Sequence, residues 1–214
     1  KGNPNYDQRS TVPAIVDVTT GAVVNNDYHV LTTELATAFK EYINPSIPDI
    51  YPEALREDID ALNDVIYTDF NLAVNLAAMV TNQKDYEFWF DRIFRRLDWL
   101  EERLSKQRYL MGDTITDPDI RLYVTLCRFD LVFYQKYFVN KKRLVDYPNL
   151  WNYAKDLYSI PAFGGTTNFD SMRKRFYYVD HTPIEDLPRL VPKGPDDSIW
   201  LEPNDRAEKF GVAK

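Results

Sequence analysis

One helical segment constrains the fold of this chain more than any other part of the sequence. Residues 117–137 are almost all apolar between Ile120 and Phe133, and a helix that is apolar on most sides belongs at the centre of a bundle. Just before it, Thr116 and Asp119 have the spacing of a capping box, in which each side chain bonds the other residue's backbone amide. The sequence therefore predicts an all-helical domain built around this segment.

Further helices are predicted from apolar residues spaced three and four apart. One runs from Pro52 to about Val80, a second covers about 85–105, and a third covers about 148–158. The first two are predicted to pack as an antiparallel pair. The polar and aromatic segment 182–214 contains several prolines, and we interpret it as a tail that wraps the surface.

A different pattern precedes these helices. Two short β-branched and apolar runs within residues 10–26 predict a β-hairpin, with Pro13 near the start of its first strand. Because proline cannot donate to a strand ladder, the bond before Pro13 is a candidate for the cis form. Asn26 or Asp27 can cap a helix that follows the hairpin. Three prolines within residues 44–52 indicate a linker.

Composition narrows the class of protein. Apolar residues make up 44% of the chain and charged residues 28%, as in a folded globular protein. The net charge of −7 argues against nucleic acid or an anionic membrane as a partner. There is no apolar run of the roughly 18 residues that a membrane span needs, nor the apolar run of a signal peptide. We therefore expect a cytoplasmic protein.

Few side chains suggest metal or cysteine chemistry. The single cysteine, Cys127, lies in the most apolar helix, where a thiol behaves as a small hydrophobic residue. His29 and His181 are the only histidines and stand far apart in sequence, so we predict no metal site. Arg121, Arg128 and Asp130 are candidates for a buried ion network. All three lie in the predicted central helix.

The order of these elements resembles the glutathione transferase fold, in which a thioredoxin-like domain precedes an all-helical one. Five motifs sharpen the likeness to the xi class, the glutathionyl-hydroquinone reductases, over about residues 3–181. They are Tyr109-Leu110-Met111-Gly112-Asp113, Asp119-Ile120-Arg121-Leu122, Arg128-Phe129-Asp130, Asp146-Tyr147-Pro148-Asn149-Leu150-Trp151 and Thr167-Asn168-Phe169-Asp170.

The resemblance implies an α+β thioredoxin-like part, incomplete in this chain, followed by an all-α transferase C-terminal bundle. Residues 1–43 would be the remainder of the glutathione-binding domain, 44–52 the linker, 53–181 the helical domain and 182–214 the tail. Family members carry a Cys-Pro-Trp motif in the early part of the first domain. The nucleophilic cysteine is therefore expected upstream of Lys1, and no catalytic residue is expected in this chain. The family also implies a homodimer.

A glutathione site is implied by the same resemblance. Val12 stands before the family's proline, where the backbone pairs with the cysteinyl part of glutathione. Asp27 and Tyr28 align with a Glu-Ser pair that holds the γ-glutamyl end, and Asp27 can serve as helix cap as well. The family's Arg-Val-Thr stretch, which lines this pocket, is matched by Arg9, Ser10 and Thr11.

The substrate pocket is implied to differ from that of the family. The xi reductases use tyrosine hydroxyls at positions that align with Val74, Phe133 and Phe176, and these side chains cannot donate a hydrogen bond. The adjacent Tyr134 and Tyr177 are possible substitutes, although a neighbour on a helix points about 100° away. We expect an apolar pocket for a small hydrophobic electrophile, a quinone adduct or a disulfide.

The implied reaction is deglutathionylation by a cysteine thiolate. The thiolate attacks a glutathionyl adduct to give a mixed disulfide, which a second glutathione resolves. Two alternatives stay open at this point: a catalytically inactive binding or scaffold protein with this fold, and a transferase that uses serine or tyrosine in place of cysteine.

Overall fold

The computed structural model describes residues 12–178 and 190–211. The predicted site residues Arg9, Ser10 and Thr11, and His181, lie outside the described residues. The chain divides into two compact units, residues 1–56 and 57–214. Each unit is described by itself below.

The first unit contains the predicted hairpin and helix. Strands β1 (Ile15–Val16) and β2 (Val23–Asn25) pair antiparallel, with Val16 opposite Val23. Asp17 holds the turn between them, since its Oδ1 accepts from the Thr19 amide at 2.8 Å. Helix α1 (Tyr28–Ala38) follows, and a short 3₁₀ turn (Lys40–Tyr42) continues it. The hairpin and the helix are thus confirmed, with strands shorter than the β-patterned runs.

The second unit begins with a helical run that the sequence predicted as one helix. It consists of α2 (Arg56–Ile66), a π-helical turn (Tyr67–Asn71) and α3 (Ala73–Met79), preceded by a 3₁₀ turn (Glu53–Leu55). The predicted apolar stripe is buried from Ile59 through Phe70. The wide π turn changes the direction of the side chains beyond it, a feature that periodicity alone does not reveal.

The remaining long helices enclose the central one. Helix α4 (Gln83–Leu104) packs against α3. Helix α5 (Asp117–Arg128) continues through a second π turn (Phe129–Phe133) into the short α6 (Tyr134–Lys136). Helices α7 (Pro148–Tyr158), α8 (Pro161–Gly164) and α9 (Phe169–Arg173) follow, and a third π turn spans Lys174–Tyr178. Within the described residues, no helix is long and apolar enough to cross a membrane.

The capping box of α5 is present and forms the centre of a buried polar cluster. Asp119 is fully buried, and its Oδ2 accepts from the Thr116 amide at 2.9 Å and the Thr116 hydroxyl at 3.0 Å. Its Oδ1 accepts from the Leu110 amide at 2.9 Å and the Tyr153 hydroxyl at 2.8 Å. Burial raises the pKa of Asp119, and these four donors oppose that rise. Asp119 therefore has a structural role, as predicted.

The prediction that the segment 182–214 wraps the surface is wrong for part of that segment, which packs into the core. A 3₁₀ turn (Asp197–Leu201) places Trp200 in the aromatic core, with its ring centroid 4.8 Å from that of Trp151 and 5.3 Å from that of Phe169. Helix α10 (Arg206–Phe210) begins with Arg206, which is fully buried. This part of the tail is therefore part of the helical domain.

The ion network expected from three residues of the central helix is also not formed. Arg121 pairs with Asp117 at 2.6 Å, while Asp130 accepts from the backbone amides of Leu144 at 2.6 Å and Val145 at 3.3 Å. Arg128 donates to the Val124 carbonyl of its own helix. Arg121 and Arg128 lie on one face of α5 but two turns apart, about 10 Å along the axis, and Asp130 lies beyond them in the π turn, so each side chain has its own partner.

Candidate functional site

The predicted backbone contact for glutathione is exposed in the first unit. Val12 is 92% exposed, and the Val12–Pro13 peptide bond is cis, as the sequence suggested. Pro13 precedes β1 and so requires no ladder donor. A strand-like ligand could therefore reach the Val12 backbone without displacing a packed side chain.

Asp27 is both exposed and engaged as a helix cap. Its Oδ1 accepts from the His29 amide at 2.9 Å, and its own amide donates to Asn25 Oδ1 at 2.6 Å. Asn25 in turn donates to Glu34 on α1, a contact that the sequence did not suggest. These bonds orient the Asp27 carboxylate at the start of α1, where its charge is available to a ligand amine. Tyr28, the next residue, is 42% exposed.

The second unit brings two of the predicted pocket residues together. The rings of Phe133 and Phe176 meet edge to face with centroids 6.0 Å apart. Tyr137 completes the cluster, at 5.5 Å from Phe133 and 6.3 Å from Phe176. Val74 is fully buried in the same domain core. Sequence reasoning missed Tyr137, although its spacing of four residues from Phe133 places both on one helix face.

Two tyrosines were predicted as substitutes for the missing hydroxyls. Tyr134 lies apart from this cluster, and the Tyr177 hydroxyl is already hydrogen-bonded. Tyr134 lines a different cavity, together with Asp130 and Trp151. The Tyr177 hydroxyl donates to the Leu131 carbonyl at 3.1 Å, and burial raises the pKa of Tyr177, which keeps it protonated. The Tyr177 proton is thus committed to a backbone acceptor in this structure.

The predicted pocket residues lie in or beside wide helical turns. Phe133 ends one π turn, and Phe176 lies within another. Val74 follows the first π turn by a few residues. Such turns are frequent at functional sites because the extra residue redirects the side chains that follow.

Cys127 is a core residue, as predicted. It is 2% exposed, and burial raises the pKa of its thiol to about 11. Its Sγ contacts the Val124 carbonyl at 3.4 Å. A thiol with so high a pKa is almost entirely protonated at neutral pH and is a poor nucleophile. Among the described residues, no group of three His, Cys, Asp or Glu side chains could hold a metal ion.

Comparison with protein families supports the assignment of the helical domain. A family model described as the glutathione S-transferase C-terminal domain matches residues 52–156. The glutathionyl-hydroquinone reductase YqjG of Escherichia coli is 35% identical over 98% of this chain and 62% of its own length. The chain therefore spans a little under two thirds of this curated relative.

Solved structures give the same result. A glutathione transferase from Gordonia bronchialis aligns with a TM-score of 0.90 and 40% identity over 99% of this chain and 66% of that one. The glutathione-bound structure of YqjG aligns with a TM-score of 0.88 and 34% identity, covering 98% of this chain and 67% of that one. Glutathione transferase Xi 1 from Trametes versicolor aligns with a TM-score of 0.83 and 36% identity, over 92% and 68% of the two chains. On these similarities, the chain belongs to the xi class of the glutathione transferases.

Proposed function

We propose that the protein is a glutathione-dependent thiol transferase or reductase of the xi type. The observation that carries this proposal is the exposed residue Val12 before cis-Pro13, followed by an acidic residue at the start of α1. The similarity to a relative named as a glutathionyl-hydroquinone reductase, and solved with glutathione bound, supports it. Nothing in the described residues favours the inactive scaffold over this assignment.

In this proposal the chain holds glutathione and shapes the substrate pocket. The Val12 backbone pairs with the cysteinyl part of glutathione, and the Asp27 carboxylate receives its amino group. Arg9, Ser10, Thr11 and Tyr28 complete the binding site. The resemblance implies that the attacking thiolate belongs to a cysteine upstream of Lys1; the buried Cys127, whose thiol pKa is raised, is unsuited to that role.

Val74, Phe133 and Phe176 line the substrate pocket in this proposal, with Tyr134 and Tyr177 adjacent. Because an apolar wall cannot donate to a quinone oxygen, and removing a general acid costs about 10²- to 10⁴-fold in rate, we expect slow turnover of glutathionyl-hydroquinone. Hydrophobic electrophiles or disulfides should react better. A spectrophotometric comparison of the hydroquinone adduct with a chloroaromatic acceptor measures this preference, and fast turnover of the adduct would refute it.

Titration calorimetry with glutathione tests the binding site. The Asp27→Asn variant of the full-length protein removes the charge but keeps a good helix cap. We expect about tenfold weaker glutathione binding, equivalent to roughly 1.4 kcal/mol, with an unchanged midpoint of thermal unfolding. Asp58→Asn, an exposed position on α2, is the matched control and should bind like the wild type. An absence of heat with the wild type at millimolar glutathione would remove the assignment.

A further inference from the structure

A cavity lies wholly within the helical domain and shares no lining residue with the Phe133–Phe176–Tyr137 cluster. It has a volume of about 520 Å³, within the range of small-molecule sites. One wall is formed by the π turn and α6, one by the turn before α7, and one by the tail. The lining includes Asp130, Tyr134, Arg143, Trp151, Ile199 and Glu202.

The cavity carries an unbalanced negative charge. Arg143 is paired with Asp146, through Nη2 to Oδ1 at 2.9 Å and Nε to Oδ2 at 3.2 Å. Arg143 is the one cation of the lining: its hydrogen bonds go to Asp146, and it also attracts Asp130 electrostatically, so two carboxylates of the lining, Asp130 and Glu202, share one arginine that is already paired. The nearby Lys155 lies outside the lining and donates to the Pro203 carbonyl at 2.8 Å.

Asp130 is the best-placed acceptor in this cavity. Each of its oxygens accepts one backbone amide, from Leu144 and Val145, while a carboxylate offers about four acceptor sites. The two amides hold the carboxylate in place, and the remaining capacity is open to a ligand. Burial raises the pKa of Asp130, which means that the charged form lacks the solvation that a cation would supply.

Aromatic and aliphatic side chains form the rest of the surface. Trp151 is held edge to face against the buried Trp200, with ring centroids 4.8 Å apart, and Ile199 lies in the same 3₁₀ turn as Trp200. A separate, much smaller cavity shares the Asp130, Trp151 and Ile199 walls and is lined further by Leu126, Leu131 and Trp200. This combination suits an apolar group attached to a positive charge.

We propose that this cavity binds a small organic cation, an amine or ammonium carrying an aromatic ring. The ammonium pairs with Asp130 and, at the rim, with Glu202. The ring of the ligand lies against Trp151 and Ile199; because the Lys155 ammonium already lies 5.4 Å from the Trp151 ring centroid, the carboxylates and not this aromatic face hold the charge of the ligand. Because Pro195, Ile199 and Glu202 belong to the tail, the site exists only when the tail is docked on the helical domain.

Phenethylammonium is a suitable probe, measured by calorimetry and by amide chemical shifts with the full chain. We expect saturable binding, with shifts concentrated at Asp130, Tyr134 and Ile199. The neutral isostere 2-phenylethanol and the anion phenylacetate should bind at least about tenfold more weakly. Equal affinity for the ammonium and the alcohol, shifts centred elsewhere, or no saturation by about 10 mM would each overturn the proposal.

Substitutions of the two carboxylates test which of them binds the ammonium group. Asp130→Asn should weaken phenethylammonium binding about tenfold, and Glu202→Gln about twofold to threefold, since Glu202 is exposed at the rim. Glu57→Gln, an exposed carboxylate on α2, should have no effect. Asp130→Asn weakens the contact with residues 144 and 145 and could fail to fold for that reason. In that case the proposal is tested by the affinity of Glu202→Gln for phenethylammonium and by the salt dependence of binding to the wild type. Wild-type affinity in Glu202→Gln together with no salt dependence would contradict the proposal.

Discussion

Phe138 is the residue whose backbone conformation is most at odds with its side chain. Among the described residues it is the one non-glycine residue at positive φ, at 57°, a conformation that is costly for a bulky L-residue. Its ring is 64% exposed and so contributes little packing. Backbone bonds hold the position instead: the Phe138 carbonyl accepts from the Tyr86 hydroxyl at 2.7 Å, and the Val139 amide donates to the Phe133 carbonyl at 3.1 Å.

Phe138→Gly should therefore stabilise the protein. Glycine removes the steric cost of the left-handed conformation, about 1 kcal/mol, and its greater freedom in the unfolded chain offsets part of that gain. We expect the free energy of unfolding in urea to rise by about 0.5 kcal/mol. Phe138→Ala is the control, because it removes the ring but keeps the Cβ atom. If alanine stabilises as much as glycine, the ring and not the backbone is responsible.

At the scale of secondary-structure elements, ion pairs connect segments that are far apart in the sequence. Asp69 in the first π turn accepts from Arg92 Nε at 2.5 Å and Arg96 Nη2 at 2.5 Å, both on α4. Burial alone would raise the pKa of Asp69, but the two arginines outweigh it and hold the pKa below its usual value. A carboxyl with a lowered pKa contributes stability above its unfolded pKa and loses it as pH falls through the folded one.

The stability that the Asp69 ion pairs contribute should therefore decrease as the pH is lowered. At pH 7, Asp69→Asn is expected to lower the free energy of unfolding by about 2 kcal/mol, because two charge-assisted hydrogen bonds are weakened. The difference from the wild type should shrink below about pH 4, as the wild-type carboxyl becomes protonated. Urea titrations from pH 7 to the acid limit of folding measure this. The control is Asp91→Asn, at an exposed position on α4. A difference in the free energy of unfolding between Asp69→Asn and the wild type that stays constant across pH would contradict the interpretation.

A buried arginine of the tail binds the end of α4. Arg206 donates to the carbonyls of Leu104 at 2.7 Å, Arg108 at 2.6 Å and Gln107. These acceptors lie at and just beyond the last turn of α4, where helical carbonyls have no partner within the helix and a positive charge is favoured. The tail thus provides the C-terminal cap of a helix about a hundred residues earlier in the chain.

Arg206→Met tests this cap. The substitution keeps much of the apolar length but removes the donors from two buried carbonyls and one partly buried carbonyl, and we expect the free energy of unfolding to fall by about 3 kcal/mol. Arg175→Met is the matched control, since Arg175 is exposed, and it should change stability by less than about 0.5 kcal/mol. Differential scanning calorimetry compares the two. Similar small losses in both variants would show that the cap is dispensable.

At the scale of the whole molecule, the two units contribute unequally to the buried core. Among the described residues of the first unit, only Leu31 and Ala36 are buried apolar side chains, while Val16, Val23 and Val24 are 46–63% exposed. The second unit contains a continuous core that extends from Leu62 to Trp200. A two-stranded sheet with one helix is marginal in water, so the helical domain supplies most of the apolar burial on which folding depends.

The sequence by itself determined those features that depend on neighbouring residues. The capping box at Thr116, the hairpin with its cis-proline, the extents of α4 and α7, and the inert character of Cys127 all follow from spacing and local chemistry. Each is decided by interactions within a few positions of the chain or by the apolar character of one helix. The motifs that resemble the xi class are local in the same sense, because each is a run of consecutive residues.

Only the tertiary structure decided which distant groups meet. The burial of Trp200 and Arg206, the partner of Arg121 and the place of Tyr137 beside Phe133 and Phe176 were not predicted. A polar segment rich in proline is expected at the surface, yet a buried arginine is stable where several carbonyls converge to receive it. That convergence brings together groups that are a hundred residues apart in the chain, and no local pattern encodes it.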